Sequence, residues 1–182
     1  MHSVCADGAY DNPCADPAQT QPGGTLFATL MKAFSMEAAM SSLARSTVAT
    51  IIPSLRYRDA PAAIDWLCRA FGFKQHLVHA EGNIVHHAQL TFGNGMIMLS
   101  SVDRDSPWSK LFAQTDETGG RETQCCCVIV SDPDAHHARA RAAGAEIIDP
   151  LAAKEYGGKG YGCRDPEGHL WWFGDYDPWH DK

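Results

Sequence analysis

The chain repeats itself, and this limits its possible folds more than any other feature. Gly95 closes a short turn in Thr91–Leu99 (TFGNGMIML) and Gly168 closes another in Tyr156–Tyr176 (YGGKGYGCRDPEGHLWWFGDY), 73 residues later. Asp59 comes after the apolar strand IIPSLRY and precedes a helix; Asp132 comes after CCCVIV and precedes another, again 73 residues on. The first helix, Ala60–Phe71, stops at Gly72, and the second, Pro133–Ala143, stops at Gly144, one residue out of register as a slipped loop would give. Two copies of strand–helix–strand–strand–strand account for all four coincidences, and such self-similarity fixes the architecture before other signals are read.

Local chemistry agrees with this parsing. Gly160–Arg164 and His169–Phe173 read as two strands joined by Asp165-Pro166-Glu167-Gly168, where proline presets φ and glycine accepts a conformation that a β-carbon resists. In the first copy, strand Val48–Tyr57 turns Pro53, Leu55 and Tyr57 toward the helix and Ile52, Ser54 and Arg56 away from it. The helix puts Ile64, Leu67, Cys68 and Phe71 on one face. Strands Lys74–His79 and Ile84–Phe92 follow; in the latter Ala88, Leu90 and Phe92 face the core, and His87, Gln89 and Thr91 face the other way.

Composition narrows the partners. With 182 residues the chain can bury a real core, and a formal charge of −7 without a basic cluster excludes nucleic acid and anionic membrane as expected partners. No apolar run approaches the about 20 residues of a spanning helix. Seven cysteines, an odd number with three adjacent, argue for reduced thiols in the cytoplasm rather than a disulfide framework. Residues 1–46 read as an extension: Met1–Gly24 has no apolar periodicity and is expected to be disordered, and Thr25–Arg45 has helical spacing. That extension is either a real arm or lies upstream of a true start at Met36 or Met40. The expected domain is 47–177, with modules 48–100 and 122–176, a linker over 101–121 and a tail over 178–182. The polar connection Ser100–Gln124 is read as a linker anchored by Trp108, with a lid over a cavity as the alternative.

These residues resemble a known family. Leu55-Arg56-Tyr57-Arg58-Asp59-Ala60, His87-Ala88-Gln89-Leu90, Ile97-Met98-Leu99, ARAAGA over Ala140–Ala145, Tyr156-Gly157 and Arg164-Asp165-Pro166-Glu167-Gly168-His169 resemble the vicinal oxygen chelate superfamily of glyoxalases, bleomycin-resistance proteins and dioxygenases, and within it the PhnB-like branch. The resemblance covers Ala49 to Tyr176. It implies an α+β fold of two tandem βαβββ modules whose sheets curl into a cup, the glyoxalase/bleomycin resistance fold, and it implies a homodimer. Metal-dependent relatives place a ligand on each first and each last strand. Carried across, those positions are Ile52 and Cys125, seven residues before each terminal Asp, and Leu99 and Trp172, four beyond each turn glycine. Only Cys125 is a donor, and a divalent ion needs three or four, so no metal cofactor is expected.

The cup face then reads Ser54, Arg56, His87, Gln89, Leu99, Cys125, Arg164, Leu170 and Trp172, an aromatic and aliphatic floor with a few polar groups. Two arginines favour an anionic ligand, and Trp172 offers a stacking face to a planar one. Other groups read as structural: His169 holds its turn, His136 and His137 face solvent, and Cys125-Cys126-Cys127 pack as small hydrophobes. A reactive thiol at Cys125 would need Arg164 or Arg56 nearby to lower its pKa. Three functions fit: a metal-free protein binding a small anionic or planar ligand, a metal-dependent lyase, isomerase or dioxygenase with ligands elsewhere, and a non-catalytic regulatory dimer.

Overall fold

The computed structural model describes residues 48–103 and 105–179. The expected disordered stretch and helix before residue 48, and the last three residues of the tail, lie outside them. The order is β1 (Ser54–Tyr57), α1 (Ala60–Phe71), β2 (Lys74–Glu81), β3 (Ile84–Phe92), β4 (Gly95–Ser101), a 3-10 turn (Ser109–Leu111), β5 (Cys126–Ile129), α2 (Pro133–Ala142), β6 (Glu146–Ala153), β7 (Lys159–Arg164) and β8 (Leu170–Gly174). The first sheet has the order β1-β4-β3-β2 and the second β5-β8-β7-β6, and neither is closed. In each, the first strand pairs in parallel with the last, and the other pairings are antiparallel. The two tandem βαβββ modules are therefore as expected. No helix among the described residues is long and apolar enough to cross a membrane.

Both helices start the same way. Asp59 Oδ1 accepts the Ala62 N–H at 3.1 Å and Asp132 Oδ1 accepts the Ala135 N–H at 2.9 Å, each with proline in the first turn. Gly72 ends α1 with φ 86°, a left-handed conformation that favours glycine, and its N–H reaches Cys68 O. The helices bury their apolar faces in one continuous core. Phe71 sits at its centre, with ring centroids 4.6 Å from Phe173, 4.8 Å from Trp66 and 5.4 Å from Trp171. Each such ring contributes about 1.5–3 kcal/mol by burial.

His136 corrects the solvent-facing expectation: it is 5% exposed and sits between the modules. Its Nε2 lies 3.0 Å from Phe71 O, which can only accept, so Nε2 carries the proton and Nδ1 accepts the Tyr161 hydroxyl at 2.7 Å. Burial drives its pKa down to about 4, so the ring is neutral. Consecutive histidines on a helix do diverge, but α2 has core on one side, and His136 takes that side.

The repeat slips by one residue at the last strand. Gln89 pairs with Met98 in the first sheet, whereas its equivalent 73 residues on, Gly162, pairs with Trp172. The cause is turn length. Phe92 and Gly95 enclose two residues, while Asp165, whose N–H donates to His169 O, and His169 enclose three. A one-residue slip moves a strand's side chains to the opposite face. Leu99 is therefore not on the outward face with Gln89; it lies opposite Ala88 in the core, 1% exposed, and Met98 is the true counterpart of Trp172. Leu99→Ala should lower stability in urea denaturation by about 2–5 kcal/mol, while Met98→Ala should cost less than half as much. Equal losses would contradict this register.

Candidate functional site

Three of the nine expected site residues, Ser54, Arg56 and Leu170, line a cavity of about 420 Å³. Leu55, Cys126 and His169 also line it, and its remaining walls come from the linker, including Leu111, Phe112, Thr118, Arg121 and Glu122. The linker thus covers a cavity, and Trp108 is not its anchor, being 63% exposed. Polar groups hold it instead. Arg58 Nη2 pairs with Asp116 at 2.8 Å and Glu117 at 3.1 Å, and the Thr115 hydroxyl donates to Glu167 O.

Glu122 is the fastening that sequence reasoning missed. Its Oε1 lies 2.6 Å from His169 Nδ1 and its Oε2 accepts the Leu170 N–H at 2.6 Å. His169 Nε2 lies 3.0 Å from Arg56 O. Both neighbours of this imidazole are acceptors, so it carries two protons and is a cation. Burial opposes that charge, but Glu122, Asp165 and the Arg56 carbonyl outweigh it and hold the His169 pKa above its ordinary value. Burial likewise works against the Glu122 carboxylate, and the hydrogen bonds from His169 and Leu170 outweigh it, keeping its pKa below the usual range. The only sequence signal was a glutamate in a polar linker, which has no periodicity to mark it.

Arg56 is the unusual group in this cavity. Its guanidinium carbon stands 4.9 Å from the centre of the Phe112 ring. Its hydrogen bonds are long, 3.4 Å to Ser54 Oγ and 3.3 Å to Leu55 O, and its buried Nε has no partner among the described residues. Burial lowers its pKa. Arg121 also lines the cavity and donates from Nε to Thr118 O at 3.2 Å.

The remaining expected residues lie elsewhere. His87 Nε2 and Gln89 Nε2 are 3.1 Å apart on β3, on the outward face with Met98. Arg164 donates to Gly168 O at 2.9 Å and stands 3.9 Å from Glu146. Trp172 lies flat over Gly160 and Gly174, where any β-carbon would overlap its indole. Two parts of the cysteine reading fail. Cys125 and Cys127 are exposed rather than packed, and only Cys126 joins the core. Burial, the neighbouring thiols and Glu122 push the Cys125 thiol up to about 12, the opposite of what an activating guanidinium would do, so it is not an activated nucleophile.

With the register corrected, the four positions where metal-dependent relatives carry ligands hold Ile52, Cys125, Met98 and Trp172. One thiol and one thioether do not make the nitrogen and oxygen set a hard or borderline divalent ion needs, so these residues do not fit an inherited metal centre. Among the described residues no group of three or more His, Cys, Asp or Glu is arranged to hold an ion.

Comparison with known proteins adds an independent line. Residues 47–173 match the family described as Glyoxalase/Bleomycin resistance protein/Dioxygenase superfamily. TioX from Micromonospora sp. ML1 is similar at 38% identity, over 69% of this chain and 97% of that one, with a TM-score of 0.56. UcmS2 shares the fold at 16% identity, over 70% and 98% of the two chains, with a TM-score of 0.56. So does a mutant of the fosfomycin resistance protein FosX from Listeria monocytogenes, complexed with Mn(II) and 1S,2S-dihydroxypropylphosphonic acid, at 14% identity over 71% and 91%, with a TM-score of 0.54. No curated protein matches the chain.

The Glu122–His169 pair makes stability pH-dependent. His169, with its pKa raised, contributes fully below about 6.5 and loses that contribution as pH climbs through its raised value. Glu122, with its pKa lowered, contributes above about 4.5 and loses it as pH falls through its lowered value. The urea-denaturation gap between the native chain and Glu122→Gln should therefore be widest between about pH 4.5 and 6.5, at ~1–3 kcal/mol, and shrink at alkaline pH. A gap that does not change with pH would count against the charged pair.

Proposed function

From its place in the Glyoxalase/Bleomycin resistance protein/Dioxygenase superfamily, to which this chain belongs, we propose that it binds a small anionic or planar ligand without a metal ion. The observation that carries this reading is Arg56, a guanidinium in the cavity wall with only long hydrogen bonds, an unpartnered Nε and no ion pair among the described residues. A carboxylate, phosphate or phosphonate supplies the missing acceptors, and a guanidinium grips such a group with two parallel hydrogen bonds. Phe112 and Leu170 give the ligand's apolar part a wall, and Trp172 offers a flat face on the second sheet. The Arg164–His169 run supports a position near the PhnB-like branch, and the free thiols suit a reducing cytoplasm.

Screening aromatic and aliphatic carboxylates and phosphonates by thermal shift, followed by calorimetry, tests the ligand class. Hits should bind Arg56→Ala about tenfold or more weakly, with Arg56→Lys recovering part of the loss. Uncharged isosteres that bind as well as the acids, or full affinity in Arg56→Ala, would reject it.

The same reading includes a homodimer. Leu77 and Val78 on the edge strand β2, Ile84 at the start of β3, and Ile129 and Ile148 on the second sheet are exposed apolar side chains that a second copy would cover. Sedimentation equilibrium should give twice the mass of one chain, and Leu77→Asp should lower it toward the monomer. A monomer throughout the micromolar range would refute this part.

A further inference from the structure

The cysteines at the start of β5 serve neither the core nor the Arg56 cavity as two of them stand. Cys125 and Cys127 are exposed, and their thiols interact with each other. They line a groove of about 360 Å³, together with Phe92 and Met96 from the first module's turn. Cys126, between them, points the other way and packs on the core.

Geometry decides what such a pair can do. Cys125 immediately precedes β5 and Cys127 is its second residue; on extended chain, residues two apart are separated by about 6.6 Å, whereas a disulfide needs its β-carbons about 3.5–4.5 Å apart. Closing a disulfide would therefore bend the chain where it enters the strand. An ion bridging two sulfurs in line, at about 2.3 Å from each, spans about 4.6 Å between them and leaves room for the strand spacing. The lining agrees: among the described residues no Lys, Arg or His borders this groove to compete with a bound cation. Soft sulfur ligands select soft ions, and copper(I) accepts two of them without further donors.

We infer that Cys125 and Cys127 form a two-thiolate site for a soft monovalent cation of the copper(I) type. On binding, both S–H bonds break, two Cu–S bonds form, two protons pass to solvent, and copper remains in the +1 state throughout. This site stands in a different groove from the ligand cavity and does not depend on the function proposed for it.

The test uses reduced full-length protein under argon, carrying Cys5→Ser and Cys14→Ser, titrated with copper(I) against the chelator bathocuproine disulfonate. One copper(I) per chain should be retained. Cys125→Ser or Cys127→Ser should weaken binding on the order of 100-fold, because the second thiolate no longer binds within the same molecule. Cys68→Ser, on α1, should leave it unchanged. Cys127 lies opposite Trp172 in the ladder, so copper(I) should quench that indole. Trp172→Phe should abolish the quenching and keep the stoichiometry. No competition with the chelator, full affinity in Cys125→Ser/Cys127→Ser, or quenching that persists in Trp172→Phe would each overturn the proposal.

Discussion

Asp165 is the group on which the rest of the arrangement hangs. Its carboxylate takes hydrogen bonds from the Tyr57 hydroxyl at 2.7 Å and Trp171 Nε1 at 3.1 Å on one oxygen. On the other oxygen it takes the Glu167 and His169 N–H groups, each at 3.0 Å. Burial raises its pKa even so, and such a group is tolerated in the interior only because all these donors converge on it. In return it pins the β7–β8 turn to β1. That fixes where His169 and Leu170 stand, hence where Glu122 fastens the linker, hence where the Arg56 cavity has its far wall.

Most of the fold was legible because duplication leaves marks that survive divergence: terminal aspartates that cap helices, and glycines that end helices and close turns. The candidate site was legible only in part. Ser54, Arg56 and Leu170 converge as strand alternation implied, because a period of two is reliable within one strand. Leu99 failed because counting four residues beyond each turn glycine assumes turns of equal length, and one added residue in the second turn reverses the face. His136 and Glu122 failed for another reason. Their roles depend on contacts 65 and 47 residues away in sequence, with Phe71 and His169, which no local pattern encodes.

The two modules have the same topology but different outward chemistry. The first sheet shows a histidine–glutamine pair beside Met98; the second shows an indole over a floor made bare by Gly160 and Gly174. The linker meets both faces at their β1 and β8 ends. It closes over Ser54, Arg56 and Leu170 and contributes an aromatic ring, a second arginine and the glutamate that anchors it. Duplicated scaffolds are free to diverge in this way because the core and the sheet pairings carry the stability, leaving outward side chains to specialise.

The bond between Tyr57 and Asp165 also has a consequence for the order in which the molecule can come into being. Its partners are 108 residues apart, and Glu167, just beyond Asp165, accepts the N–H groups of Arg58 and Asp59 ahead of α1. When the first module has left the ribosome, those donors still have only water for company, because the segment that completes them has not been made. Contacts this far apart in sequence form late and slow the approach to the native state. The first half is therefore a fragment awaiting its C-terminal neighbour, and the Phe71 end of its helix stays uncovered on one side until Trp171 and Phe173 of the final hairpin arrive.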